Sequence, residues 1–267
     1  MSILEAIILG LVQGLTEFLP VSSSAHLVLV PWWLGWTPPP LAFDTTLHLG
    51  TLLAVLAYFW RDWWELAQAV LDRLRGRGDE AKWRLALAIV IGVIPAAVIG
   101  YLFESFFEAM FSQPTLVAAM LLVTGAILIL AETWKRGGLP LANIRLSDAA
   151  VIGLAQAAAI IPGISRSGAT IAAGLLRGLD RPAAARYSFL LSAPIIFGAG
   201  VFQIKNLAGA GIDAIGLTPL LIGFLVAAIS GFLAIRFLMR FVQTRSLYLF
   251  AVYVWLFGLL SLLRALL

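Results

Sequence analysis

The chain contains no cysteine, only two histidines and few charges of either sign, with 18 basic and 14 acidic residues making up 12% of its 267 positions. Without cysteine there is no disulfide, no thiolate metal centre and no cysteine nucleophile. Walker-type and dinucleotide-binding spacings are also missing, so the 24 glycines read as helix-packing and turn positions. So little charge excludes an ordinary soluble domain. Hydrophobic residues make up 61% of the chain and the mean hydropathy is +0.99, which points to an integral membrane protein. A net charge of +4 would suggest nucleic acid in a soluble protein. Here it reads as basic loops facing the cytoplasm, and no nucleic-acid partner is expected. The apolar N-terminal stretch has no basic leader and runs into charged and Pro-Ser residues, so no cleavable signal is expected.

A spanning helix needs about 20 apolar residues to cross roughly 30 Å of hydrocarbon. Six segments qualify, at about 41–60, 84–103, 115–132, 184–203, 217–236 and 246–266. Two other apolar regions are interrupted: 3–36 by Pro20 and a serine run, and 149–178 by PGISRSGAT. Each half is short for a crossing, which predicts two re-entrant helix-loop-helix hairpins whose tips are buried in protein or face a wet cavity, since unpaired backbone cannot face lipid. The expected fold is all-α, a single membrane domain over 1–267 with six full spans and two hairpins. With that layout, fifteen basic residues between Arg61 and Arg245 fall on one side against Lys205 and Arg264 on the other, and Arg166 belongs to neither. The basic side is then cytoplasmic and both termini lie outside.

An offset of 143 residues pairs Gly10 with Gly153, Gln13 with Gln156, Ser22 with Ser165, Ser24 with Ser167, Gly35 with Gly178 and Pro39 with Pro182. An odd number of spans separates the hairpins, so the two copies, about 1–103 and 146–245, would be inverted relative to each other. In that plan broken helices from both halves meet within the membrane and build a site.

The hairpins hold the candidate chemistry. Gln13 and Glu17 are i and i+4 and share a helical face, and Ser23 and His26 are i and i+3. Ser22 and its neighbours can cap a second half-helix whose free amides favour an anion. Glu17 could be a packing carboxylate and His26 a satisfied core histidine, but an ionisable group buried in a membrane costs several kcal/mol, and function is the favoured reading. Arg166 lies between Ser165 and Ser167, with Gly163 before and Thr170 after, so hydroxyls, amides and a planar guanidinium fork collect where an anion with several oxygens could sit. Its structural alternative is a pairing with Glu17 across the hairpins. Asp44 and His48, i and i+4 on the following span, could stand behind the same cavity. Trp32, Trp33, Trp36, Trp60, Trp63 and Trp64 fall near span ends, as an aromatic belt would. The stretch from Asp72 to Arg84 reads as a solvated loop.

QGLTEFLPVSSSAH (13–26), FDTTLHLGTLLAVLAYFW (43–60) and PGISRSGAT (162–170) resemble the undecaprenyl diphosphate phosphatase family, also called bacitracin resistance proteins, over essentially the whole chain. The resemblance implies a multi-pass protein of the bacterial inner membrane that removes the terminal phosphate of an isoprenyl diphosphate. That reaction regenerates the carrier for peptidoglycan synthesis and confers bacitracin resistance. It further implies a divalent cation, Mg or Ca, held by Glu17, and a site open to the periplasmic side. Gln13 stands where many relatives carry Glu, and an amide is neither a base nor a strong metal ligand, so weight moves to Glu17. On this reading Glu17, Ser23, His26 and Arg166 are catalytic, while Gln13, Ser22, Gly163, Ser165, Ser167 and Thr170 bind substrate. Ser23 would attack, with His26 as base and then acid. Attack by His26 itself, or by water with Glu17 as base, stays open. So do the oligomeric state, with a homodimer as one option, and a different class of function, a transporter or flippase of a lipid phosphate or anion.

Overall fold

The computed structural model describes the backbone of residues 1–206 and 215–267 and all of their side chains except those of 204–206. The side chain of Lys205, one of the two basic residues assigned above to the outer side, lies outside the described residues. Among the described residues there are helices and no β-strand. They are α1 (Ile3–Phe18), α2 (Ser23–Leu34), α3 (Leu41–Tyr58), α4 (Trp60–Leu74), α5 (Glu80–Leu102), α6 (Glu104–Phe111), α7 (Pro114–Trp134), α8 (Leu146–Ala158), α9 (Arg166–Leu176), α10 (Arg181–Asn206), α11 (Leu217–Thr244) and α12 (Tyr248–Leu266).

Helices α3, α5, α7, α10, α11 and α12 are long and apolar enough to cross a bilayer, and each covers one of the six predicted spans. The two interrupted regions are helix pairs. At about 1.5 Å per residue, α1 with its 16 residues and α8 with its 13 fall short of the hydrocarbon thickness. Helix α1 starts on a capping box, in which the Ser2 hydroxyl accepts from Glu5 N–H and the Glu5 carboxylate accepts from Ser2 N–H. It stops at Leu19, which Pro20 forces into an extended conformation (ψ 142°). Helix α2 starts at Ser22, whose hydroxyl accepts from Ala25 N–H and whose φ of +70° is the one positive value at a non-glycine position among the described residues. A serine held there is backbone strain at the hairpin tip. In the second hairpin Gly163 makes the turn at φ +98° and Ser165 caps α9 by accepting from Gly168 N–H at 3.0 Å.

The stretch from Asp72 to Arg84 is not one loop. It is the end of amphipathic α4, a short turn, and the first turn of α5, where Asp79 caps Ala81 and Lys82. The charges in WRDWWELAQAVLDRL break the apolar run in sequence, while its apolar positions line up on one helical face.

Packing is reciprocal between the halves of the chain: α1 lies against α11, and α8 lies against α5. Both contacts are backbone-close. A Cβ on Gly10 would lie 2.9 Å from Gly223 O, and one on Gly153, the residue paired with Gly10 by the offset, would lie 2.6 Å from Gly92 O. Helices α7 and α12 pack on each other, and α7 also touches both short helices, α2 and α9. The basic segments gather at one face through Lys82 with Glu65, Arg177 with Asp148, Arg181 with Glu132, and Arg186 with Asp62. Leu247 N–H joins them by donating to Glu132 at 2.8 Å.

Candidate active site

The tips of the two hairpins meet. Ser167, in the first turn of α9, donates its hydroxyl to Leu19 O at 2.9 Å, and Gly163 N–H donates to Ser24 Oγ at 3.4 Å. Between these contacts Arg166 Nη2 donates to Glu17 Oε1 at 2.5 Å, an ion pair across 149 residues of chain whose side chains are 15% and 6% exposed. A carboxylate and a guanidinium each lose several kcal/mol of hydration on such burial, so neither belongs in an apolar bundle without the other or a ligand.

Glu17 organises the rest. Its Oε2 accepts from Ser23 Oγ at 2.5 Å and from Gln13 Nε2 at 3.0 Å, and it lies 3.7 Å from His48 Nε2. The i, i+4 spacing of Gln13 and Glu17 thus becomes a hydrogen bond, and Thr51 on α3 comes within 3.5 Å of the same amide. Ser23 bonds to Glu17 and not to the histidine one turn away. Both His26 nitrogens are engaged elsewhere, Nδ1 with Ser22 O and Nε2 with the Tyr253 hydroxyl of α12, each at 2.7 Å. The His26 ring stacks on Tyr253 and Phe257. His48 is the imidazole beside the carboxylate, and its Nδ1 lies 2.8 Å from Asp44 O.

The remaining predicted residues divide by what they touch. Ser22 and Ser165 are helix caps. Gly163 is the close approach: a Cβ there would lie 2.5 Å from both Val117 O and Met120 Cβ on α7. Thr170 engages its hydroxyl elsewhere, donating to Arg166 O at 2.8 Å and lying 2.6 Å from Ser188 Oγ on α10. Asp44 is half-buried, with Oδ1 unpartnered among the described residues.

Two contributors carried no sequence signal. Thr124 on α7 donates to Gly163 O at 2.8 Å and accepts from Ser165 N–H at 3.0 Å, clamping the PGISRSG turn from both ends. Tyr253 fixes the His26 ring. Both sit in ordinary apolar spans, where only tertiary structure singles them out.

Two buried polar atoms of the cluster have no partner among the described residues, Arg166 Nη1 and Gln13 Oε1. A buried donor and a buried acceptor left open beside a carboxylate are what an oxygen-rich ligand, or a ligand with its counter-cation, would satisfy. Ser23, Ser24 and His48 keep partial exposure, so the cluster is not sealed.

Residues 6–260 match the bacitracin resistance protein BacA family. The chain belongs to that family. It is 49% identical over 263 residues to the undecaprenyl-diphosphatase of Desulforudis audaxviator, covering 98% of each chain. Another relative with that name, from Pelobacter propionicus, is 46% identical over 257 residues, with 96% of this chain and 93% of the relative covered. A third, from Halothermothrix orenii, is 44% identical over 265 residues and 99% of both chains. The BacA match takes in both hairpins and all six long helices except the first turn of α1 and the last turns of α12.

Proposed function

We propose that this multi-pass membrane protein hydrolyses undecaprenyl diphosphate to undecaprenyl phosphate and inorganic phosphate, recycling the lipid carrier of cell-wall synthesis and so conferring bacitracin resistance. The observation that carries the reading is the Glu17 carboxylate, which holds the Arg166 guanidinium on one oxygen and the Ser23 hydroxyl on the other. Phosphoryl transfer asks a protein for positioning and for positive charge opposite the phosphoryl oxygens. Arg166, with Nη1 free to donate, meets a phosphate oxygen, and the amides opening α9 add further donors.

Ser23 is the nucleophile in this reading. Its proton passes to Glu17 as Oγ bonds to the terminal phosphorus, the bridging P–O bond breaks, and undecaprenyl phosphate leaves. Glu17 gives that proton up to the departing undecaprenyl phosphate; water then attacks the phosphoserine and passes a proton to Glu17, the P–Oγ bond breaks, Ser23 Oγ takes the proton back from Glu17, and inorganic phosphate leaves. Glu17 takes the role of base that the spacing alone assigned to His26, because Glu17 receives the Ser23 hydrogen bond. His26, locked by Ser22 O and Tyr253, positions the start of α2.

Among the described residues no three His, Asp or Glu side chains gather into a protein-only metal cage. The donors do fit a divalent cation that takes one carboxylate and several substrate oxygens, as Mg commonly does. Glu17 and the open Gln13 Oε1 would hold it, and the bound cation would neutralise charge on the diphosphate. We place the protein in the bacterial cytoplasmic membrane as an inverted repeat with two re-entrant hairpins and a periplasmic opening. The one-sided basic face and the reciprocal helix packing support this placement.

The test is phosphate release from an isoprenyl diphosphate by the purified protein in detergent, where no transport is measurable. Glu17→Ala and Arg166→Ala should abolish release, and full turnover in both would remove the site. Mass spectrometry of enzyme quenched in denaturant at neutral pH, where both phosphoserine and phosphohistidine survive, should find phosphate on Ser23. A label on His26, or no label, would move the nucleophile to that residue or to water.

A further inference from the structure

The carboxyl-terminal stretch is basic with nothing to balance it. Residues 215–267 contain Arg236, Arg240, Arg245 and Arg264 and no Asp or Glu. Arg264 is engaged, donating to Trp33 O at 2.5 Å and lying over the rings of Trp32 and Trp33. The other three are exposed, and their guanidinium groups have no ion pair or hydrogen bond among the described residues. Other basic residues of the same face are matched, as in Arg177 with Asp148 and Arg186 with Asp62. Glu132, which reaches this region through Leu247 N–H, is already taken by Arg181 and Lys135.

The three arginines surround a groove. Arg236, Arg240 and Arg245, with Phe237, Phe241 and Thr244, line a cavity of about 480 Å³. An adjoining cavity of about 340 Å³ shares Phe241 and Arg245 and adds Ser246 and Leu249. The floor is aromatic, with the Phe237 and Phe241 rings 5.6 Å apart and Phe241 5.2 Å from Phe250. Upstream on α11, Leu221, Leu225, Ile229, Leu233 and Phe237 recur every fourth residue, each half or more exposed, and this apolar stripe leads into the groove. Helix α11 has 28 residues, which at about 1.5 Å each exceeds the roughly 30 Å of hydrocarbon by about two turns. With the apolar N-terminal part in the hydrocarbon, its arginine-bearing end stands at headgroup depth.

We propose that this groove binds the headgroup of an anionic phospholipid, with an acyl chain lying along the exposed stripe of α11. Guanidinium forks match phosphate oxygens in pairs, the arginine stems reach to the interface over the phenylalanines, and the Thr244 and Ser246 hydroxyls add donors. Two adjoining lobes with three cations suit a headgroup carrying two phosphates better than one. The proposal stands on α11 and the residues that follow it into α12, and does not depend on the catalytic reading.

The experiment is native mass spectrometry of the detergent-purified protein titrated with phosphatidylglycerol, cardiolipin or phosphatidylcholine. Cardiolipin should be retained at least tenfold over phosphatidylcholine. The double variant Arg236→Gln, Arg240→Gln should lose about thirtyfold in cardiolipin affinity, following from roughly a fivefold contribution per basic residue near an anionic headgroup. Arg236→Lys with Arg240→Lys, which keeps the charge and loses the paired fork, should fall between the parent and the Gln variant, and Arg61→Gln, an exposed arginine on α4, should keep all of the affinity. Arg245→Gln, outside the helix, supplies the same test if the double variant does not fold, with about a fivefold loss expected. Phosphate release from an isoprenyl diphosphate reports that each variant is folded. Equal retention of phosphatidylcholine, or undiminished cardiolipin preference in the folded Gln variants, overturns the proposal. So does displacement of cardiolipin by millimolar inorganic phosphate, which would make this a free-anion site.

Discussion

Arg166 at the start of α9 donates to Glu17 at the end of α1 at 2.5 Å, and this ion pair ties the second hairpin to the first beside the neutral bonds of Ser167 to Leu19 O and of Gly163 N–H to Ser24 Oγ. Removing either partner leaves an uncompensated charge in a buried site, which typically costs about 3–5 kcal/mol. Removing both leaves none. Arg166→Ala and Glu17→Ala should therefore each lower the melting temperature sharply, while the double variant recovers part of the loss and still releases no phosphate. Thermal unfolding of the three proteins beside a phosphate assay checks this. A double variant as unstable as the sum of the singles would mean that the two residues do not act as a pair.

The second prediction separates the two residues that could take the proton of Ser23. Ser23 donates to Glu17 while both His26 nitrogens are held by Ser22 O and Tyr253, so in the proposed mechanism the proton acceptor is the carboxylate. Loss of a general base costs about 100- to 10,000-fold in rate, and loss of a neutral positioning hydrogen bond costs about fivefold. Glu17→Gln should fall in the first range for kcat. Tyr253→Phe and His26→Gln should fall near the second. A His26→Gln enzyme as slow as Glu17→Gln would return the role of base to the histidine.

The six long helices were legible because a segment that crosses hydrocarbon has only its own side chains to show to lipid, and an unbroken apolar run is the result. The Glu17–Arg166 pairing was legible for the converse reason: each is an ionisable group isolated in an apolar hairpin, with an obvious partner of opposite sign. Helix α4 was hidden, since an amphipathic helix scatters its charges through the run and resembles a loop until its period is followed. Ser23 bonding to Glu17 was hidden too. Spacing tells which residues share a helical face, but where α2 points relative to α1 depends on the Leu19–Ser22 turn and its positive φ at Ser22.

Thr124 supplies a third test. Its hydroxyl bridges Gly163 O and Ser165 N–H, so Thr124→Val keeps the shape and leaves a buried amide unpaired, at a cost of about 1–3 kcal/mol. The turn it clamps carries Arg166, so the variant should raise KM for the diphosphate more than it lowers kcat. Thr124→Ser, which restores the hydroxyl, should return both stability and KM toward the parent values. Steady-state kinetics and melting curves on the two variants decide it. Equal behaviour of Val and Ser would show that the clamp holds nothing.

Two glycines with similar backbone conformations should respond very differently to alanine. Gly35, at φ +68°, ends α2 in open space, with no atom within 4 Å of where a Cβ would stand, so Gly35→Ala meets only the left-handed backbone penalty of about 1–2 kcal/mol. Gly163, at φ +98°, meets that penalty and a Cβ 2.5 Å from the Val117 carbonyl oxygen, a rigid neighbour on α7. Overpacking of this kind adds about 1–3 kcal/mol and is relieved only by moving the turn. Because Ser165 and Arg166 follow within three residues, that movement draws the guanidinium away from Glu17. Gly163→Ala should then lose stability and phosphate release together, while Gly35→Ala loses a little stability and keeps its activity. An active, stable Gly163→Ala protein would mean that the PGISRSG turn tolerates displacement, and that the approach to α7 does not set the position of Arg166.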